Sequence, residues 1–360
     1  MIKSKDTPLD FTGQTIYVGL DVHLKNSQLA IYVEDLFYKN LPLPSKASLI
    51  GGYLKKEFPN AHYKSVYEAG FSGFRMHKDL VAMGIENIVV HPADVPMGHK
   101  QKEQKTDKRD AKQLALSLKA GFLTPLYIPS EKQLADRSLL RYRDKMVGDR
   151  KRTRQRVKSF LYSTGIPIPD EFEQSLWTRK YMNWLSSIKF DELSSRNAMD
   201  HMLTKLASDR LEILKMNRTL RALCKTDYYK TDFELLLSIP GVGLFTAMRV
   251  LMEIGSMSRF ETTDQLCSYA GLIPNSNSSG EKERKSRITH RKNKQLRTQL
   301  IEASWVAIRN DPALTLFFHK KLKQKGGDTK AAIVCVARKL LCRIRAVLVY
   351  QTPYQKSKAK

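Results

Sequence analysis

Cysteine is scarce in this sequence: Cys224, Cys267, Cys335 and Cys342 stand far apart, and no CxxC pair occurs. That spacing argues against a zinc module and a secreted disulfide framework. Cys335 and Cys342 fall in an apolar helical stretch and read as buried thiols. Long apolar runs are also missing. The strongest one near the C-terminus, residues 331–337, is far too short to cross a bilayer, so no membrane partner is expected. The opening MIKSKDTPLD lacks the apolar core of a signal peptide, and a cytoplasmic protein is the expectation. Acidic residues are the other shortage. Only 36 Asp and Glu face 62 Lys and Arg, for a formal charge of +26. A charge that large repels itself and is usually held for a polyanionic partner.

Hydrophobic residues make up 42% of the 360 positions, enough for a packed core and for two or three domains. From residue 15 to about 129 the pattern alternates strands and helices. TIYVGLDV and SQLAIYV, separated by the polar HLKN, read as a hairpin. Ser45 is placed to cap a helix running through Glu57, with Pro59 as a stop. HYKSVYE is a further strand, SGFRMHKDLVAMG a helix ending at Gly84, and NIVVH a strand closed by Pro92. A helix from Asp107 to Lys119 then ends at Gly121. Hairpin first, then alternating strand and helix, specifies an α/β domain with a mixed sheet.

Strand signals vanish from about residue 130 to 227. A strongly basic helix is expected around residues 134–161, followed by the turn STGIPIPD. Leu206, Ile213 and Leu220 recur every seven residues, with Leu203 and Leu214 beside them. The pattern suits a short coiled-coil seam or an ordinary helical bundle. The last third is helical, opening with LLLSIPGVGLFTAMRVLMEIG, and is interrupted by a polar, basic loop over residues 274–293.

Four acids sit at element ends in the α/β region. Asp21 closes the first strand, Glu68 closes a later one before Gly70, and Asp107 and Asp110 share the first turn of a helix. Taken singly, each is an ordinary turn or helix-start residue. Converging, they would repel one another unless cations compensated. Mg²⁺ or Mn²⁺ takes oxygen ligands of this kind and can polarise a phosphodiester. Asp79 and Asp94 are spare acids, less well placed. IPGVG, residues 239–243, is either a phosphate-binding turn like a helix-hairpin-helix or a plain helix–helix turn. SNSSGEKERKSRITHRKNKQLR combines serines with basic side chains, as a nucleophile beside phosphate-gripping cations or as a solvated basic loop. Trp177, Tyr181 and Trp184 fall at helical spacing and read as core packing rather than a base-stacking platform.

With these blocks in order, the chain resembles the DEDD-type insertion-sequence transposases, the insertion-sequence one-ten family, over about residues 17–309. GLDVH, YEAG and KTDKRDA resemble that family's RuvC-like nuclease domain; IPGVG, YAGLIPNSNSSGEK and RITHRKNKQLR resemble its transposase domain. The resemblance implies a RuvC-like (RNase H-like) α/β domain over residues 1–130 and a helical coiled-coil segment over 131–226. A mainly α transposase domain with a helix-hairpin-helix-like element would occupy 227–360. It implies that Asp21, Glu68, Asp107 and Asp110 are catalytic metal ligands and that Ser279 is the nucleophile, with Ser278 as the competing position. It further implies DNA as donor and target, a guide non-coding RNA, a dimer or tetramer, and a nucleoid-associated bacterial protein. A junction-resolving, metal-dependent endonuclease without a covalent intermediate is the alternative.

Overall fold

Burial on both faces through the middle of the first two strands marks them as the centre of a sheet. The computed structural model describes residues 10–96, 106–172, 177–279, 282–289 and 291–356, with backbone alone at 275–279 and 282–287. The chain divides into two compact units, residues 1–128 and 129–360.

In the first unit, β1 (Thr15–Val22) pairs antiparallel with β2 (Asn26–Val33), as the hairpin reading expects. A third strand, β3 (Leu36–Pro44), extends the sheet at its edge. On the other side of β1 lie β4 (His62–Glu68) and β5 (Glu86–Val90), both parallel, giving the order β3-β2-β1-β4-β5. Ile16, Val18 and Leu20 face α1 (Ala47–Glu57) and α2 (Arg75–Ala82) across one apolar layer. The opposite face carries Ala30, Tyr32, Val66 and Val90 against Ala111, Leu114 and Ala115 of α3 (Asp107–Lys119). The α/β expectation holds, with helices on both faces of a mixed sheet.

The second unit is mostly helical. Two long helices, α4 (Glu131–Ser163) and α6 (Leu193–Cys224), lie against each other, and α5 (Arg179–Ser187) closes one end. Leu203, Leu206, Ile213 and Leu220 are buried within the chain itself, while Leu214 is largely exposed. Further helices follow: α7 (Lys230–Leu237), α8 (Leu244–Ile254), α9 (Thr263–Ala270), α10 (Lys294–Asn310), α11 (Pro312–Gln324) and α12 (Thr329–Tyr350). The largest core joins α7 to α10 and α12 to Leu140 and Leu220 of the long helices. Gly241 of IPGVG has a φ of 86°, and a Cβ there would come within 2.4 Å of the Ala303 carbonyl oxygen. That glycine is therefore required by the close approach of α10.

The polar stretch read as a loop is instead a β-hairpin. β6 (Pro274–Ser279) pairs antiparallel with β7 (Lys282–Ile288), from Pro274 opposite Ile288 to Ser279 opposite Lys282. Backbone hydrogen bonds alone define such a ladder, so the sequence offers no apolar alternation to reveal it. Gly280, Glu281 and His290 lie outside the described residues.

Candidate active site

The sheet's register sets the acids. Leu20 pairs with Tyr67 across the parallel β1–β4 ladder, so Asp21 and Glu68, one step further on, end adjacent strands on the same face. That face is the one covered by α3. Gly19 is the reason α3 can come so close: a Cβ there would meet the Ala111 carbonyl oxygen at 2.0 Å and the Ala115 nitrogen at 2.5 Å. In the helix, Asp107, Asp110, Ala111 and Leu114 follow the i, i+3, i+4, i+7 stripe. Ala111 and Leu114 are buried on the sheet, so the same stripe brings the two acids to its C-terminal edge.

Side-chain geometry joins Asp21 to Asp107 through His23. The His23 Nε2 is 3.2 Å from an Asp21 Oδ2 and 3.2 Å from an Asp107 Oδ2. Asp21, His23 and Asp107 each offer a ligand atom within 4.8 Å of the others, and among the described residues they form the one such metal-competent group. Asp21 is 24% exposed and Asp107 63%, so solvent and a substrate can reach the pair. Glu68 and Asp110 are placed at the same edge by register and helix phase. Asp79 is not part of it: it pairs with Arg75 on α2 at 2.9 Å.

His23 is the residue that the sequence reading passed over. It lies two positions beyond Asp21, a spacing that returns a strand side chain to the same face, and this was the available signal. Its backbone is held by Ser45, which has a different role from the expected helix cap. The Ser45 hydroxyl donates to the His23 carbonyl oxygen at 2.6 Å and lies 2.8 Å from the Ser27 hydroxyl. Helix α1 starts after Lys46 with no side-chain cap. In the turn after Glu68 the left-handed backbone falls at Gly73, with a φ of 59°, and not at Gly70. The buried Tyr67 hydroxyl ties this turn down, donating to the Gly73 carbonyl oxygen at 2.9 Å. Burial pushes that phenol up to about 12.

Ser278 and Ser279 end β6, facing Glu283 and Lys282 of β7; their side chains lie outside the described residues.

The basic helix α4 divides into two parts. Near its start, Arg141 makes a two-pronged bond to Glu253 of α8, with Nε to Oε1 at 2.8 Å and Nη2 to Oε2 at 2.6 Å. Arg137 donates to the Met252 carbonyl oxygen at 3.1 Å, and Arg143 donates to Asn217 at 3.1 Å. Burial alone would raise the Glu253 carboxyl, but bonds from Arg141 and Asn293 and the charges of Arg141 and Arg137 hold it below its ordinary value. These arginines fasten helix to helix. The later ones, Arg150 and Arg154, line open cavities with Trp177. Tyr181 is fully buried and stacks on Trp184 at 5.4 Å, so the aromatic group is mainly core, with Trp177 at its rim.

Among the described residues no helix is long and apolar enough to cross a membrane. Residues 54–166 match a DEDD-type IS110 transposase model, and residues 233–319 match that of the Transposase IS116/IS110/IS902 family. The first range includes Glu68, Asp107 and Asp110, and the second includes Ser279. The chain is 31% identical over 244 residues to the putative transposase y4qE of Sinorhizobium fredii, spanning 68% of this chain but only 58% of y4qE. It is 30% identical over 302 residues to the putative transposase y4rJ of the same organism, 77% of this chain and 74% of y4rJ. The pilin gene-inverting protein of Moraxella lacunata is 30% identical over 257 residues, 70% of this chain and 68% of its own length.

Proposed function

The chain belongs to the DEDD-type IS110 transposase family, and on that premise we propose that it cuts and rejoins DNA with a carboxylate-held divalent metal and a serine nucleophile. The observation that carries this reading is the convergence of Asp21 and Asp107 on one imidazole nitrogen, from elements far apart in the chain. Asp21, Glu68, Asp107 and Asp110 would hold Mg²⁺ or Mn²⁺, whose preference for oxygen ligands fits this donor set. Bound there, the metal supplies charge stabilisation for the attacked phosphate.

Ser279 attacks the scissile phosphorus. Its Oγ–P bond forms as the P–O bond to one strand end breaks, and the hydroxyl proton ends on the released strand. The phosphoserine keeps the bond energy, so rejoining needs no added energy source. The likeness to a gene-inverting protein supports rejoining over cutting alone, because a gene cannot be inverted without resealing its ends. A structured guide RNA, a dimer or tetramer, the coiled-coil character of α4 and α6, and phosphate binding at IPGVG complete the proposal.

The test is strand cleavage followed by denaturing electrophoresis. Asp21→Asn and Asp107→Asn should abolish cleavage in a folded chain. Wild type and Ser278→Ala should leave protein attached to cut DNA, and Ser279→Ala should not. Cleavage without any adduct would replace this reading with the junction-resolving endonuclease, in which water attacks.

A further inference from the structure

Two cavities of about 540 and 940 Å³ lie side by side in the helical unit and share a wall of Arg150, Arg154 and Trp177. Arg179 and Arg210 add to the larger, Lys151 and Lys158 to the smaller. No acidic side chain among the described residues lines either one. Among the described residues, no carboxylate lies within ion-pair distance of Arg150, Arg154, Arg179 or Arg210.

This is an unusual state for half-buried cations. Burial and the neighbouring Arg210 hold the Arg150 guanidinium below its ordinary pKa, against the smaller opposing pull of Asp209; burial and Arg150 do the same to Arg154. The Nε of each is buried and has no hydrogen-bond acceptor among the described residues. A buried donor left unmet is costly, and here two adjacent ones are. Arg137, Arg141 and Arg143, earlier on the same helix, all bond within the chain. The missing acceptors are therefore suited to an external anion, and the guanidinium fork matches phosphate oxygens.

Trp177 narrows the kind of phosphate ligand. Its ring lies 5.0 Å from the Arg154 guanidinium, and its backbone φ of 70° is rare for a bulky residue. Leu211 and Leu214 expose apolar surface along the larger cavity. A duplex would offer such a wall only its phosphates, because its base faces are stacked internally. An unpaired strand offers phosphates and base faces together. We infer that this double cavity binds an unpaired nucleic-acid strand, with phosphates on Arg150, Arg154 and Arg210 and a base against Trp177. The inference rests on the reading that the chain handles nucleic acid, and it does not require that the chain cleave it.

Fluorescence anisotropy of the full chain in EDTA, where cleavage cannot intervene, tests it with a labelled unpaired oligonucleotide and its duplex. Arg150→Gln with Arg210→Gln should weaken the unpaired probe at least about tenfold, as loss of two charge-assisted bonds allows. The salt slope should fall by about 1.4, at about 0.7 per phosphate. Duplex affinity should change less than about twofold. Thermal stability should hold or rise, because the substitutions relieve like-charge repulsion; that separates lost binding from lost folding. Trp177→Leu should weaken the unpaired probe without changing the slope, since stacking releases no counterions. The arginine pair decides the matter whatever Trp177→Leu does to folding. Lys320→Gln with Lys323→Gln, an equal charge change on exposed α11, should not separate the two probes. An unchanged unpaired affinity, or equal losses on both probes, overturns the inference. Matched DNA and RNA probes assign the preferred sugar. If binding behaves as stated while the acid variants still cleave, only the proposed catalytic reading is lost.

Discussion

Two carboxylates at 3.2 Å from one imidazole nitrogen form a place that draws a cation, and the His23 ring sits against the oxygens that would hold it. A divalent ion bound by the same oxygens would compete with the ring for them. Anything that binds the folded chain alone raises its unfolding temperature, so metal binding is readable without any cleavage assay. Saturating Mg²⁺ should raise the unfolding temperature of the native chain. Asp21→Asn and Asp107→Asn should remove that rise, and His23→Ala should keep or enlarge it. Loss of the rise in His23→Ala would make the ring a ligand and not a competitor. At this scale the positions of the four acids, at two strand ends and in a helix's first turn, were legible because sequence patterns mark such places. His23 was not, because its importance lies in a meeting with Asp107 that only the packing of α3 on β1 creates.

That packing depends on Gly19, where any side chain would enter the α3 backbone. Overpacking a well-filled contact typically costs about 1–3 kcal/mol. Gly19→Ala should destabilise the first unit by roughly that amount and move the first turn of α3 away from Asp21. Chemical denaturation reads the first effect, and weakened Mg²⁺ stabilisation reads the second. An alanine variant as stable and as responsive to Mg²⁺ as wild type would show that α3 is not held by this approach. Elements with strong periodicity or clear end signals were legible: β1, β2, β4 and β5 lie where the alternation puts them, and α3 spans the expected residues. β3 escaped notice because Pro42 and Pro44 argue against a strand, and most of its residues are exposed; an edge position tolerates both. The β6–β7 hairpin was hidden by its polar composition.

The chain's charge is distributed as unevenly as its folds. Residues 1–128 hold 17 Lys and Arg against 13 Asp and Glu, whereas residues 129–360 hold 45 against 23. The sheet unit with the acid site is thus close to balanced, and the helical unit carries nearly all of the net charge. A polyanion bound mainly through its backbone releases counterions for each phosphate neutralised, and the salt slope counts them at about 0.9 per contact on a duplex. Replacing exposed cations in the two units should therefore have unequal effects, although the formal charge change is identical. Lys145, Arg156, Lys292 and Lys294 changed to Gln should lower the duplex slope by at least about 2 and weaken binding steeply at moderate salt. Lys25, Lys39, Lys55 and Lys56 changed to Gln should lower it by less than about 1. The measurement is duplex affinity of the full chain across a salt series, with both variants checked for native unfolding temperature. Equal slopes in the two variants would mean that net charge alone, and not its concentration on the helical unit, governs how the molecule holds DNA.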